Sequence, residues 1–278
     1  MRSIRHLHLA VSAFLAAALL LSAVPAARAQ EETDHEEEFS YVPGAWNGPE
    51  NWGNIKEEWA KCGEGQMQSP IDLSDQRVSL MPQLGYLNYS YLPTEASIVN
   101  RGHDIMLRFE AGAGSLSING TAYYLRQLHW HSPTEHTVNG LRYDMEMHMV
   151  HQSAENKTAV IGALYQIGGH DAFLHELEPF IKKIADTKDR EEKVGVVDPN
   201  GAIGMPSVYY RYMGSLTTPA CDEGVIWTIV KRVRTVSRYQ LELLREAVHD
   251  DMKDNARPLQ KVNNRDIGIF VPNPDQYY

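Results

Sequence analysis

The 278-residue chain has only two cysteines, Cys62 and Cys221, a scarcity that excludes a cysteine-rich metal cluster. Basic residues are also in short supply, 26 Lys and Arg against 36 Asp and Glu, for a formal charge of -10. An acidic chain is a poor partner for nucleic acid or anionic membrane. Beyond residue 29 no run is apolar enough to span a bilayer. There is no Pro/Gly/Ser-rich linker and no internal repeat, so a single domain is expected.

What is present begins with a processing signal. Residues 1–29 combine a basic start (Arg2, Arg5), an apolar run (Leu9 to Val24) and a small-residue end (Ala27, Arg28, Ala29), the pattern of a cleaved secretory signal peptide. Its removal takes away three arginines and no acid, moving the formal charge from -10 to -13. Residues 30–38 are dominated by acids (EETDHEEE) with almost nothing to bury, and a solvated disordered tail is expected there. Secretion places Cys62 and Cys221 in an oxidising compartment, where an even pair closes a bridge. Three sequons, at Asn88, Asn119 and Asn156, are possible glycosylation sites in a eukaryotic secretory pathway.

The remaining residues, 39–278, read as many short strands and few helices. Phe39–Trp52 is aromatic and rich in Gly and Pro, an irregular segment with Trp46 and Trp52 as core anchors. Gln68–Leu73 enters a short strand. Ile98–Phe109 splits into two strand pieces around a polar turn holding His103. Ser115–His131 carries a turn at Asn119–Gly120. Thr158–Ile167 and Gly224–Arg232 are continuous apolar runs of buried-strand length. Asp171 N-caps an amphipathic helix with Phe173, Leu177, Phe180 and Ile184 on one side, and Ser237 with Gln240 forms a capping box for a helix reaching about Met252. Pro258–Tyr278 has no clear period. The strands do not alternate with helices, so the expected fold is mainly β with peripheral helices, built on one large mixed, largely antiparallel sheet.

One stretch, Tyr123–His151, carries the chemistry. His129 and His131 are two apart on a strand and therefore share a face. An antiparallel neighbour joined through Ser132–Gly140 brings His148 beside them, three imidazoles with one open position for Zn²⁺. A lone strand histidine is usually a satisfied core or surface residue. Here Gln127 and Glu146 lie on the same faces and can fix each ring's second nitrogen. Three neutral nitrogens leave zinc its full double charge, which suits hydrolytic or hydration chemistry better than a structural role. Copper is the rival metal, but its electron-transfer sites recruit Cys or Met, and Met147 and Met149 point away from His148.

These residues resemble the α-class carbonic anhydrases over nearly all of the mature chain. The resemblance rests on NGPENW (47–52), QSPIDL (68–73), HWHSPTEHTV (129–138), EMHMVH (146–151), SLTTP (215–219) and NARPLQ (255–260), and is greatest toward the secreted plant and algal branch. It implies one Zn²⁺ on His129, His131 and His148, oriented by Gln127, Glu146 and the backbone carbonyl of Asn255. It implies that Thr217 accepts a hydrogen bond from zinc-bound hydroxide and donates to Glu135, and that Thr218 contacts bicarbonate. Val150, Val160, Leu216 and Trp227 match an apolar wall for carbon dioxide. His103 matches a proton-shuttle histidine, and Tyr41 and Asn100 match residues that order water between metal and shuttle.

The implied activity is reversible hydration of carbon dioxide to bicarbonate and a proton. The alternative is a secreted storage or binding protein that retains a zinc site with little activity. The expected destination is extracellular, or a plastid reached through the secretory pathway. Met106 and Arg108 depart from the best-known members beside the cavity mouth, and Ala256 replaces an aromatic.

Overall fold

The computed structural model describes residues 39–249 and 252–272; the expected signal peptide and acidic tail lie outside them. In chain order the strands are β1 (Asp72–Leu73), β2 (Val78–Leu80), β3 (Asn88–Tyr91), β4 (Thr94–Asn100), β5 (Ile105–Phe109), β6 (Gly114–Ile118) and β7 (Thr121–His131). They continue with β8 (Thr137–Val138), β9 (Met145–Ser153), β10 (Thr158–Ile167), β11 (Glu191–Val197), β12 (Tyr209–Ser215), β13 (Glu223–Val236) and β14 (Ile267–Phe270). Helices α1 (Trp52–Ile55) and α2 (Lys61–Glu64) precede the sheet, with α3 (Ala172–Ile184), α4 (Asn200–Ile203) and α5 (Arg238–Ala247) later.

Twelve of these strands form one sheet, whose main path runs β11-β4-β5-β7-β9-β10-β13-β12-β14-β2, with β6 joining β7 to β3. Only β10–β13 and β14–β2 pair in parallel within it. The sheet is mixed and largely antiparallel, as expected. Its centre is the β7–β9–β10 meander, where Thr158–Ile167 forms the predicted buried strand.

Side-chain alternation divides the central strands between two cores. On β9, Met145, Met147 and Met149 enter the larger cluster with Leu128 and Trp130 of β7. Val150 instead joins a smaller cluster containing Val160, Leu216 and Trp227. Gln127, His129 and His131 alternate with Leu128 and Trp130 on β7, and Glu146 and His148 alternate with the methionines on β9. The site is therefore a polar patch bordered by the smaller core.

Local sequence explains most boundaries. Asn119 and Gly120 both adopt positive φ (50° and 80°) and close the β6–β7 hairpin, the turn that their residue types favour. Asp171 caps α3 by accepting from Leu174 N–H at 2.9 Å, and Ser237 with Gln240 completes the capping box of α5.

Three expectations are corrected and one is refined. Trp46 is 73% exposed, while Trp52 is buried with Phe39 and Tyr41, so of the two tryptophans expected as anchors only Trp52 is one. On α3 Phe180 is half-buried but packs against the same core as Phe173, Leu177 and Ile184, with Ile181 buried beside them. Helix α5 stops at Ala247, and Val248 turns to extended backbone instead of continuing to Met252. The tail holds β14, whose four residues pair with β12 and β2; such a short run carries too few residues to display a period.

Candidate metal centre

His129 and His148 face each other as cross-strand partners in the β7–β9 register. With His131 they form a buried cluster whose nearest ring nitrogens all lie within 4.8 Å of one another. Each ring is held from behind. His129 Nδ1 lies 2.8 Å from Gln127 Oε1, His131 Nδ1 lies 2.8 Å from the Asn255 carbonyl oxygen, and His148 Nε2 lies 3.0 Å from Glu146 Oε1.

All three partner atoms can only accept, so each of those ring nitrogens carries the proton and donates. The remaining nitrogens, Nε2 of His129 and His131 and Nδ1 of His148, present lone pairs to a common point. His129 Nε2 and His148 Nδ1 approach to 3.2 Å. Two lone pairs at that distance repel unless a cation lies against both, so this donor set fits a zinc ion and explains why polar rings are gathered here. Burial, with His131 and His148 alongside, keeps His129 well below the usual imidazole range despite the opposing pull of Asp104. The ring is neutral, as a ligand must be.

Glu146 does more than orient one histidine. Its Oε2 accepts from the backbone N–H of Glu135 (2.9 Å) and His136 (2.8 Å), and its Oε1 accepts from His136 Nδ1 (2.7 Å) as well as His148. Burial opposes its ionisation, but these donors, His136 foremost, hold the carboxyl well below its ordinary range. His136 Nε2 lies 2.6 Å from the Tyr212 hydroxyl, which lies 2.8 Å from Ser69 Oγ. The contacts form one buried chain, Ser69–Tyr212–His136–Glu146, that ends on a carboxylate able only to accept. Burial raises the Tyr212 phenol well above its usual value, which keeps its proton in this chain.

Asn255 joins three segments. Its carbonyl accepts from His131, its Oδ1 accepts from Ser132 N–H (2.8 Å) and its Nδ2 donates to the His103 carbonyl (2.8 Å). Two residues on, Arg257 N–H donates to Glu135 Oε1 (2.9 Å). The Arg257 guanidinium is buried, donates to Gln68 Oε1 and to the carbonyls of Ser69 and Cys62, and lies over Trp52. Burial lowers its pKa to about 10 against the pull of Glu135, leaving it charged at neutral pH.

The remaining anticipated residues fall into place unevenly. Val150, Val160, Leu216 and Trp227 converge in one buried cluster. Thr217, Thr218 and Glu135 are buried, but the expected bond from Thr217 to Glu135 is not formed. Thr217 Oγ1, Thr218 Oγ1 and Glu135 Oε2 all lack a hydrogen-bond partner. Glu135 Oε2 instead lies 3.8 Å from His131 Nε2 and 4.0 Å from His148 Nε2, directed to the imidazoles. Buried polar atoms without partners cost about 1–3 kcal/mol each, so their grouping marks a place built for a polar ligand.

Asn100 does not face this space. Its Nδ2 donates to the carbonyls of Ile184 and Ala247 and its Oδ1 accepts from Gly102 N–H, so the amide is fully committed to holding backbone. Tyr41 packs edge-on against Phe39 and Trp52. His103 is fully buried, its ring 5.4 Å from that of Phe39 and its Nε2 3.8 Å from Asp104. Burial favours the neutral Asp104 carboxyl, yet Arg101, His103 and His129 outweigh it and hold Asp104 ionised. Met106 stands opposite His129 in register, while Arg108 is drawn into a surface pair with Glu191 (2.7 Å). Cys62 and Cys221 are joined by a disulfide. Cys221 N–H donates to the Thr218 carbonyl, so the bridge sits directly beneath the Thr217–Thr218 loop. Asn88, Asn119 and Asn156 are all exposed.

Sequence reasoning missed His136, Tyr212, Ser69 and Arg257. Ser69, His136 and Arg257 lie within the quoted motifs, but all three are on irregular backbone, where no alternation tells which way a side chain points.

Fold and site together define a β-sheet protein that gathers three imidazoles around one cation position beside an apolar wall. The chain belongs to the carbonic anhydrase family: the family model for eukaryotic-type carbonic anhydrase matches residues 47–270. It is 49% identical over 253 residues to alpha carbonic anhydrase 7 of Arabidopsis thaliana, covering 91% of this chain and 92% of that protein. It is 48% identical over 238 residues to dioscorin dioA3 of Dioscorea japonica, covering 86% and 88%. Among solved structures, a dioscorin complexed with ascorbate superposes with a TM-score of 0.83 at 48% identity, covering 85% of this chain and 99% of that one. The α-carbonic anhydrase of Thermovibrio ammonificans in complex with sulfanilamide gives 0.76 at 33% identity, covering 83% and 98%.

Proposed function

We propose that this protein catalyses the reversible hydration of carbon dioxide to bicarbonate and a proton, with one zinc ion held by His129, His131 and His148. The observation that carries the reading is the set of three converging ring nitrogens, each made a ligand by a committed acceptor behind its ring. When bound, zinc would supply a strongly acidified water at near-neutral pH. Glu146, fed by Ser69, Tyr212 and His136, raises the basicity of His148 and fixes its rotation. Thr217 and Thr218 offer unpartnered buried hydroxyls to a polar ligand, and Glu135 Oε2, also unpartnered, is the acceptor assigned to Thr217 on the family resemblance. Val150, Val160, Leu216 and Trp227 exclude water from the place where an apolar, uncharged substrate rests.

Proton export is assigned to His103 on the family resemblance. Its burial is unfavourable for a relay to bulk solvent, so the assignment has its own test: His103→Ala should lower the maximal rate at low buffer and respond to added imidazole. The disulfide fits an oxidising compartment and supports secretion led by residues 1–29, to the cell exterior or to a plastid. Among the described residues no helix is long and apolar enough to cross a membrane.

A second reading, a storage or binding protein that keeps the metal site with little turnover, draws on the unformed Thr217–Glu135 bond. Stopped-flow carbon dioxide hydration measured with zinc content on one sample separates the two. Zinc-loaded protein with turnover abolished by His129→Ala supports the enzyme; zinc-loaded protein no faster than buffer sinks it.

A further inference from the structure

A second cluster of metal-binding side chains stands at the start of α3. His170 precedes the helix, and His175 and Glu178 lie three apart on it, so the two side chains share a face. The three ligand atoms lie within 4.8 Å of one another. His170 Nε2 is 2.6 Å and His175 Nδ1 is 3.3 Å from Glu178 Oε1. Both histidines are open to solvent, with side chains 44% and 69% exposed, while the Glu178 side chain is only 11% exposed.

The carboxylate is fixed from inside the protein. Gln240 Nε2 donates to Glu178 Oε1 (3.0 Å) and also to the Asp171 carbonyl (2.8 Å), while Gln240 Oε1 accepts from Asp171 N–H (2.8 Å). Asp171 is further held by Arg234 Nη2 at 2.9 Å. Its neighbour His170 thus leaves an anchored backbone, and its ring stacks parallel to Tyr239 (9° between planes). Burial opposes ionisation of Glu178, but Gln240, His170 and His175 lower its pKa and keep it anionic. Lys182 is exposed and is held on Tyr239, its ammonium 5.4 Å from the ring centroid.

Three N–H donors crowding one carboxylate oxygen is an arrangement that an ion can take over, because each imidazole can shift its proton to its outer nitrogen. We propose that His170, His175 and Glu178 form a second metal site, independent of the buried triad, for a borderline first-row divalent ion such as Zn²⁺ or Cu²⁺. Two imidazoles and one carboxylate are the donors such ions prefer over Mg²⁺ or Ca²⁺. The exposed histidines leave positions for water and allow the ion to exchange, and the acidic chain favours cation approach. The ion would tie the residue preceding α3 to the helix's second turn, and so raise thermal stability when bound.

Equilibrium dialysis of the full protein against free Zn²⁺ tests this. Wild type should bind two equivalents, and the double variant His170→Ala/His175→Ala one, with its carbon dioxide hydration unchanged. Glu178→Gln should weaken the second equivalent by at least about tenfold. Addition of Cu²⁺ to zinc-loaded wild type should give an electron paramagnetic resonance spectrum with two-nitrogen coupling that the double variant lacks. A single equivalent in wild type, or a second equivalent that survives in the double variant, overturns the proposal.

Discussion

Gly162 stands directly opposite His148 across the β9–β10 pair, and the space a side chain would need there is already taken. A Cβ at Gly162 would lie 2.6 Å from Ile229 Cδ1 and 3.0 Å from Glu146 Oε1. Ile229 is fully buried and Glu146 is bound on both oxygens, so neither yields easily. Gly162→Ala should cost about 1–3 kcal/mol of stability and weaken zinc by displacing the Glu146 carboxylate. Denaturant unfolding and chelator competition check this; an alanine variant with unchanged affinity would show that Glu146 moves without cost.

Gln127 Oε1 stands 2.8 Å behind the ring of His129, against its Nδ1. Gln127→Ala should lower zinc affinity by about 10–100-fold, with the fold intact. Chelator competition with circular dichroism on the same sample decides, and wild-type affinity would mean that the β7–β9 pairing alone orients the ring.

His151 provides a pH signature. Its Nδ1 donates to the Ala159 carbonyl (3.2 Å) and its Nε2 meets the Tyr91 hydroxyl (2.8 Å). Burial lowers the pKa from 6.5 to about 4. Between those values the unfolded chain holds the extra proton, so stability is present above the unfolded pKa and falls as the pH drops. One such group contributes a slope of up to about 1.4 kcal/mol per pH unit. His151→Gln should flatten the stability profile between pH 6.5 and 4 relative to wild type. Parallel profiles for the two proteins would remove His151 from the account.

Loss of the Cys62–Cys221 bridge, which spans 159 residues, should lower the melting temperature. Loop entropy places the effect at up to about 5 kcal/mol, with smaller values common. Because the bridge lies beneath Thr217 and Thr218, the Cys62→Ser/Cys221→Ser pair should also lose hydration rate. Unchanged melting would mean that packing alone holds the loop.

Alternation made much of this architecture legible. His129, His131, His148, Gln127 and Glu146 all lie on regular strands, where a spacing of two fixes the face, and the same rule sent Met147 and Met149 to the opposite core. The rule has nothing to act on between Ser132 and His136, or beyond Asn255. There the Tyr212–His136–Glu146 chain and the buried Arg257 depend on contacts between distant segments. Gly162 was equally silent, since a glycine inside an apolar run looks like any small core residue until its neighbours are known. Trp46 was misplaced for a related reason: hydrophobicity favours burial but does not choose which of two nearby tryptophans receives it.

Asn255 and Arg257 have a consequence for how the protein is made. The carbonyl that orients His131 lies 124 residues downstream of it, and the N–H that holds Glu135 lies 122 residues downstream. A chain growing from its N-terminus therefore displays all three imidazoles well before it owns the groups that finish the site. A product ending before Asn255 would carry all three histidines yet leave His131 without the acceptor behind its ring.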